Sequence, residues 1–322
     1  MKGLQMKQLR EQFGEQLQED VLMHNYSTMC VGGPADALLF VHSADEMEKT
    51  VLKLWELETP FLVLGSGSNL LISDKGIREV VVVNRAHNIR INTQVNPSTV
   101  WAESGAILAQ VARQTALRGL SGLEWASSVP GTIGGAVYGN AGAFKRETAQ
   151  NIAGAEMLEI GRGKMQWKKE DFQYSYRSSI LKRGLQKNII LTVTLEMEKG
   201  DPIKIKSEME ANRQKRLNTQ PPGPSLGSIF RNPDCDKAGR LIEACGLKGK
   251  KIGDAEISPQ HANFIINNGK AYAQDILDLI LLIHQTVQSK FGISLLPEIQ
   301  IVGEWDAALL ATIQKINQGI SL

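Results

Sequence analysis

The stretch Ser121-Gly122-Leu123-Glu124-Trp125-Ala126-Ser127-Ser128-Val129-Pro130-Gly131-Thr132-Ile133-Gly134-Gly135-Ala136-Val137-Tyr138-Gly139-Asn140-Ala141-Gly142-Ala143 limits this chain more than any other. Its glycines and small polar residues make a poor helix and a poor strand, so it is expected to run as turns. Gly131, Gly134 and Gly135 let the backbone take positive φ and approach a ligand closely. Successive N–H groups in such turns point into a concavity that suits phosphate. A second stretch of the same character is Val63-Leu64-Gly65-Ser66-Gly67-Ser68-Asn69-Leu70-Leu71. Together they read as two walls of one site for a diphosphate-containing cofactor. Each taken alone reads equally well as a tight turn in a β-rich domain.

A chain of 322 residues suggests about two domains and buries a sizeable core without staples. The net charge of +2 gives no argument for nucleic acid or an anionic membrane surface. Cys30, Cys235 and Cys245 are an odd, scattered set with no zinc spacing, which suits a reducing compartment. The polar N-terminal segment does not read as a signal peptide, and the apolar run from Ile276 to Ile283 is too short to span a membrane. The expectation is a cytoplasmic protein, a monomer, with no metal and no nucleic-acid or membrane partner.

Along the chain, residues 1–20 read as a helical arm. A strand is expected from Ala37 to Val41, and Ser43 with Glu46 marks a capping-box start for a helix to Leu57. Strands follow at Phe61–Leu64 and Glu79–Asn84, then strand pieces between Ile89 and Glu103 around an Asn96-Pro97 turn. Ile107, Leu108, Val111, Ala112 and Leu117 recur at helical spacing within Gly105–Arg118. Further expectations are strands at Ala155–Ile160 and Ile189–Met197, and helices at Lys204–Leu217, Ala238–Cys245 and Ala273–Phe291. Ile252–Ile266 reads as strand with turns and Pro297–Val302 as a last strand. Gln220-Pro221-Pro222-Gly223-Pro224 marks a boundary region.

Two nucleotide motifs are excluded. Gly65-Ser66-Gly67 has Leu70 where a dinucleotide fingerprint needs its third glycine, and Ser73-Asp74-Lys75-Gly76 breaks any following helix. No P-loop is present. The five histidines have no metal-ligand spacing, and Lys248, Lys250 and Lys251 read as well as a solvated loop as a phosphate contact.

Five motifs in order are specific. They are glycine-rich Leu64–Leu71; Val129–Ala136 with Asn140-Ala141-Gly142; Tyr176-Arg177-Ser178-Ser179; Gly227-Ser228-Ile229-Phe230-Arg231-Asn232-Pro233; and Pro297-Glu298-Ile299. Over about residues 20–305 the chain resembles the UDP-N-acetylenolpyruvoylglucosamine reductase family. The resemblance implies an α+β fold, with a two-lobed FAD-binding domain of the vanillyl-alcohol-oxidase/p-cresol-methylhydroxylase type and a smaller α+β substrate domain. On that reading residues 1–20 are the arm and 21–205 the FAD-binding domain, with lobes of about 21–90 and 91–205. Residues 206–305 are the substrate domain and 306–322 a helical tail.

The resemblance also implies chemistry. NADPH reduces non-covalently bound FAD. The reduced flavin N5 then passes hydride to the enolpyruvyl ether of UDP-N-acetylglucosamine, giving UDP-N-acetylmuramate for peptidoglycan. By motif, Arg177 and Glu298 stabilise the developing charge and Ser228 supplies the proton. Gly65, Ser66, Gly67, Ser68, Asn69, Pro130, Gly131, Thr132, Gly134 and Gly135 hold the FAD diphosphate. Tyr176, Asn232 and Gln260 lie on the substrate side. The interval Lys182–Leu226 has no tyrosine, so the chain resembles the shorter subtype, which lacks an added tyrosine-bearing loop. Two alternatives stay open: another FAD-linked oxidase of the same superfamily, against which the glycine loops lack the His or Cys of covalent attachment, and a non-catalytic flavin or nucleotide binder.

Overall fold

Apolar residues at helical spacing build the longest helix of the chain, Ala273–Phe291, and bury Ile276, Leu277, Leu279, Ile280, Ile283, His284 and Val287. The computed structural model describes residues 3–184 and 188–319. By compactness they divide into two units, one of residues 1–38, 66–81 and 217–322, the other of 39–65 and 82–216. The strands Pro34–Val41 and Ile77–Asn84 each begin in the first unit and end in the second. The division is therefore discontinuous in sequence.

In the first unit, helix Ala273–Phe291 packs with helix Ala238–Ala244 and a three-stranded antiparallel sheet of Lys251–Ile252, Ala255–Ile257 and Ile265–Asn267. The amides of Ala273 and Gln274 would be orphaned at the helix start; both donate to the Asp74 carboxylate, at 2.9 and 3.0 Å. Leu70–Ile72 pairs in parallel with Gln300–Val302. The tail forms helix Ala307–Asn317 and joins this core through Ile313, with Trp305 just before it.

The N-terminal arm is only partly helical, which corrects the expectation for residues 1–20. The helix ends at Phe13, and Gln18–Leu22 is a strand antiparallel to Pro34–Val41, with Gln18 opposite Leu38. Backbone pairing to a distant partner overrides a local composition that favours helix. Arg10 and Glu19 tie helix to strand by a bidentate ion pair at 2.7 Å.

The second unit is built on an antiparallel sheet in the order Gly163–Lys168, Ile152–Glu159, Ile189–Lys199, Ser98–Glu103, Ile89–Asn92, with Leu120–Ser121 on the end of Ile189–Lys199. Ala155, Val193 and Ala102 lie in one cross-strand row, all buried. They share a core with Leu108, Val111 and Ala112 of helix Leu108–Ala116 and with Ile133 and Val137. Helix Ala44–Glu56 starts as its sequence indicates, with Ser43 Oγ accepting the Glu46 N–H.

One expectation about the glycine stretch is corrected. Ile133–Gly139 is a short helix, capped by Thr132, whose Oγ1 accepts the Gly135 N–H at 3.2 Å. Propensity is overruled by packing: a Cβ on Gly134 would sit 2.8 Å from the Ser104 carbonyl oxygen. Glycine here permits close contact between helix and neighbouring backbone.

Two buried imidazoles make stability depend on pH. His284 is fully buried with Nδ1 3.0 Å from the Leu295 carbonyl, and burial lowers its pKa; burial lowers that of His261 too. Desolvation makes both, the half-buried His261 and the fully buried His284, harder to protonate in the fold than in the unfolded chain, where they protonate below about pH 6.5. The unfolded state then binds more protons, so stability falls as pH drops from about 6.5 toward the folded pKa values. The melting temperature is expected to fall between about pH 7.5 and 5.5. His284→Asn should flatten that slope; an unchanged slope would remove His284 as a cause.

Candidate active site

Within the second unit Gly65 meets the longer glycine stretch. Gly65 follows strand Phe61–Leu64, and a Cβ there would lie 2.8 Å from Thr132 Oγ1. Residues 131–134 are stitched to 104–108: Leu108 N–H donates to the Gly131 carbonyl at 3.0 Å, Ile133 N–H to Ala106 at 2.8 Å, and Gly134 N–H to Ser104 at 2.8 Å. The amides of Ile133, Gly134 and Gly135 are thus engaged inside the protein. Those of Gly131 and Thr132 have no acceptor among the described residues, so a phosphate would meet the stretch there rather than at Gly134 and Gly135.

Ser66–Asn69 belongs to the first unit. The Gly67 carbonyl accepts the Thr28 N–H at 3.2 Å, and Gly67 has φ +63° with its Cα against the Tyr26 carbonyl. Ser68 is half-buried. The hydroxyls of Ser66 and Ser128 are buried with no hydrogen-bond partner among the described residues. Native proteins rarely leave such groups unpaired. An orphaned hydroxyl of this kind fits a polar ligand.

Tyr176 and Arg177 form the tip of a tight turn closed by Ser175 N–H to the Ser178 carbonyl at 3.1 Å and Ser178 N–H to the Ser175 carbonyl at 3.0 Å. Arg177 takes φ +54°, unusual for a residue with a Cβ. Its guanidinium donates to the carbonyls of Gly142 and Asn140 and lies 5.2 Å from the Tyr176 ring centre. Buried Asn140 donates to the Ser175 carbonyl at 3.0 Å, and Ser179 Oγ donates to the Tyr138 carbonyl at 2.6 Å. The end of the glycine-rich helix therefore fixes the Tyr-Arg turn. Beneath it the Tyr174 ring stacks on Phe172, and burial raises the Tyr174 pKa.

In the first unit Ser228 and Glu298 are neighbours through backbone. Glu298 N–H donates to the Ile229 carbonyl at 2.7 Å, and Arg231 N–H to the Leu296 carbonyl at 2.9 Å. The same segment reaches the glycine loop: Asn69 Nδ2 donates to the Glu298 carbonyl at 3.2 Å, and Gln300 N–H to the Asn69 carbonyl at 2.9 Å. Asn69, Ile229 and Glu298 come from three distant parts of the sequence and meet here.

Comparison with known proteins adds to this geometry. Residues 35–168 match the family described as FAD binding domain. Residues 218–302 match the C-terminal domain of UDP-N-acetylenolpyruvoylglucosamine reductase. The curated UDP-N-acetylenolpyruvoylglucosamine reductase of Clostridium novyi is 41% identical over 292 residues, covering 90% of this chain and 93% of that protein. The chain belongs to the UDP-N-acetylenolpyruvoylglucosamine reductase family. Another relative, from Anoxybacillus flavithermus, is 40% identical over 92% of this chain and 99% of its own length. The crystal structure of UDP-N-acetylenolpyruvylglucosamine reductase from Thermus caldophilus superposes with TM-score 0.73 at 34% identity, over 87% of this chain and 97% of that one. The fold class is thus α+β with an FAD-binding domain followed by the reductase C-terminal domain.

The remaining residues expected from the reductase family pattern have local duties. Asn232 Oδ1 accepts the Ala238 N–H at 3.0 Å, capping helix Ala238–Ala244. Gln260 is exposed and donates to the Asn218 carbonyl at 3.1 Å. Lys248 and Lys251 pair with Glu243 and Glu256 at 2.8 and 3.4 Å, so those lysines act as a solvated ion-paired face.

Sequence reasoning passed over Arg216, near the end of helix Pro202–Thr219. It is half-buried, burial lowers its pKa, and it has no carboxylate partner among the described residues. A desolvated cation without a counter-ion suits an anionic ligand. One arginine in a helix full of charges gives no sequence signal for that. Among the described residues no three His, Cys, Asp or Glu are grouped to hold a metal ion, and no helix is long and apolar enough to cross a membrane.

Proposed function

We propose that this chain reduces the enolpyruvyl ether of UDP-N-acetylglucosamine to UDP-N-acetylmuramate with electrons from NADPH, using non-covalent FAD, in the cytoplasm and as a monomer. The observation that carries the reading is the bond between Glu298 and Ile229, the residue after Ser228, next to Asn69 of the glycine loop. FAD supplies the hydride chemistry between NADPH and substrate. Residues 21–205 hold it, with Gly65–Asn69 and Pro130–Thr132 against the diphosphate, and 206–305 take the substrate.

The chain's own residues supply charge and proton. Hydride addition to the vinyl carbon builds negative charge on the neighbouring carbon and its carboxylate. Arg177 faces that carboxylate, since its fork matches two oxygens and its charge is permanent. Carbonyls of Gly142 and Asn140 hold the fork in place. Preorganised charge of this kind is a large term in catalysis. Ser228 Oγ then gives its proton to the carbon, while Glu298 orients the acid and stabilises the transition state. Tyr176, Asn232 and Gln260 border the nucleotide sugar, and Arg216 suits one of the substrate's anionic groups.

The deciding experiment is the visible spectrum of the purified protein under anaerobic conditions. NADPH should bleach a flavin spectrum and the enolpyruvyl ether should restore it. Bleaching without restoration would discard the substrate. Absence of flavin after incubation with FAD would return both glycine stretches to plain turns.

A further inference from the structure

Ser228 follows Gly227, whose φ is +73°, and lies outside every regular strand. The residues just after it are held on two sides. On one side these are held by Leu296 and Glu298. On the other side they are held by Asn263, through its side chain and its backbone. Asn263 is buried, at 4% exposure. Its Oδ1 accepts the Phe230 N–H at 3.0 Å, and its Nδ2 donates to the Phe230 carbonyl at 2.8 Å. The Asn263 carbonyl accepts the Ile229 N–H at 2.9 Å. The carboxamide thus imitates the edge of a strand, matching donor to acceptor and acceptor to donor.

The clamp has its own support. Asn263 N–H donates to His261 Nδ1 at 3.2 Å, and the His261 ring packs edge-on against Phe264 at 4.9 Å. Gly239 leaves room for that ring, since a Cβ there would lie 3.2 Å from His261 Cε1.

We propose that Asn263 is a positioning residue for proton transfer: by pairing with both polar groups of Phe230 it holds in place the backbone that carries Ser228. The proposal rests on the reductase reading above. The carboxamide can do this because it offers one donor and one acceptor, matching the N–H and C=O of a single residue. No other standard side chain of that length offers donor and acceptor in this fork.

Asn263→Asp changes one NH2 to an oxygen and removes the donor to the Phe230 carbonyl. Stopped-flow spectroscopy of the FAD-loaded variant should find reduction by NADPH unchanged. Reoxidation by the enolpyruvyl ether should slow about 10- to 100-fold, as expected for a displaced acid. Equal slowing of both half-reactions, or wild-type reoxidation, would overturn the positioning role. Wild-type enzyme that the ether fails to reoxidise would overturn the activity itself, a distinct result. If the variant yields no folded flavoprotein, hydrogen exchange of the wild-type enzyme decides. The Ile229 and Phe230 amides should exchange as slowly as the sheet strand Ile189–Lys199, and exchange at exposed-loop rates would overturn the clamp.

Discussion

Ser228→Ala is expected to leave reduction of the flavin by NADPH at its wild-type rate and to slow reoxidation by the enolpyruvyl ether about 10²–10⁴-fold, the range for loss of a positioned general acid. The asymmetry follows from the reaction. Reduction by NADPH moves hydride to the cofactor and needs no proton on the substrate carbon. Reoxidation by the ether requires one. The substitution removes only a hydroxyl from a segment whose hydrogen bonds run through the Ile229, Phe230 and Arg231 backbone, so the fold should not change. Rapid-mixing absorbance of the two half-reactions is the measurement. Equal loss in both would assign Ser228 to cofactor binding instead.

Gly67→Ala is expected to lose the flavin and to destabilise the first unit. At φ +63° an L-residue carries backbone strain of about 1–3 kcal/mol. The added carbon would also lie 1.9 Å from the Tyr26 carbonyl oxygen, which is backbone and cannot swing away. The loop must then move, and with it Ser66 and Asn69. Gly65→Ala should be milder, because the atom it meets first is the Thr132 hydroxyl, at 2.8 Å. Flavin content after purification and the melting temperature test both. Gly67→Ala with wild-type flavin content and melting temperature would mean the loop neither carries strain nor touches the cofactor.

Much of the framework was legible because it is local. Helix Ala273–Phe291 was readable from apolar spacing, helix Ala44–Glu56 from its Ser43 cap, and the strands around Val80–Val83 from consecutive valines. Strand Gly163–Lys168 was not legible: it is an edge strand of half-exposed and exposed residues, with no apolar period beyond Met165 and Trp167. The glycine stretch misled in one respect. Three of its amides are used to fasten the short helix Ile133–Gly139 rather than left to face a ligand.

The sequence alone determined the family, because five motifs in fixed order carry that information without coordinates. It also determined the residue types of the candidate site, since glycine, arginine, serine and glutamate are dictated by the chemistry of phosphate, carboxylate and proton. Tertiary structure decided the contacts. Thr132 against Gly65, Glu298 against Ile229, and Asn263 around Phe230 join residues far apart in the chain. A side chain's neighbours across a fold follow from strand register and packing, which no local window of sequence contains.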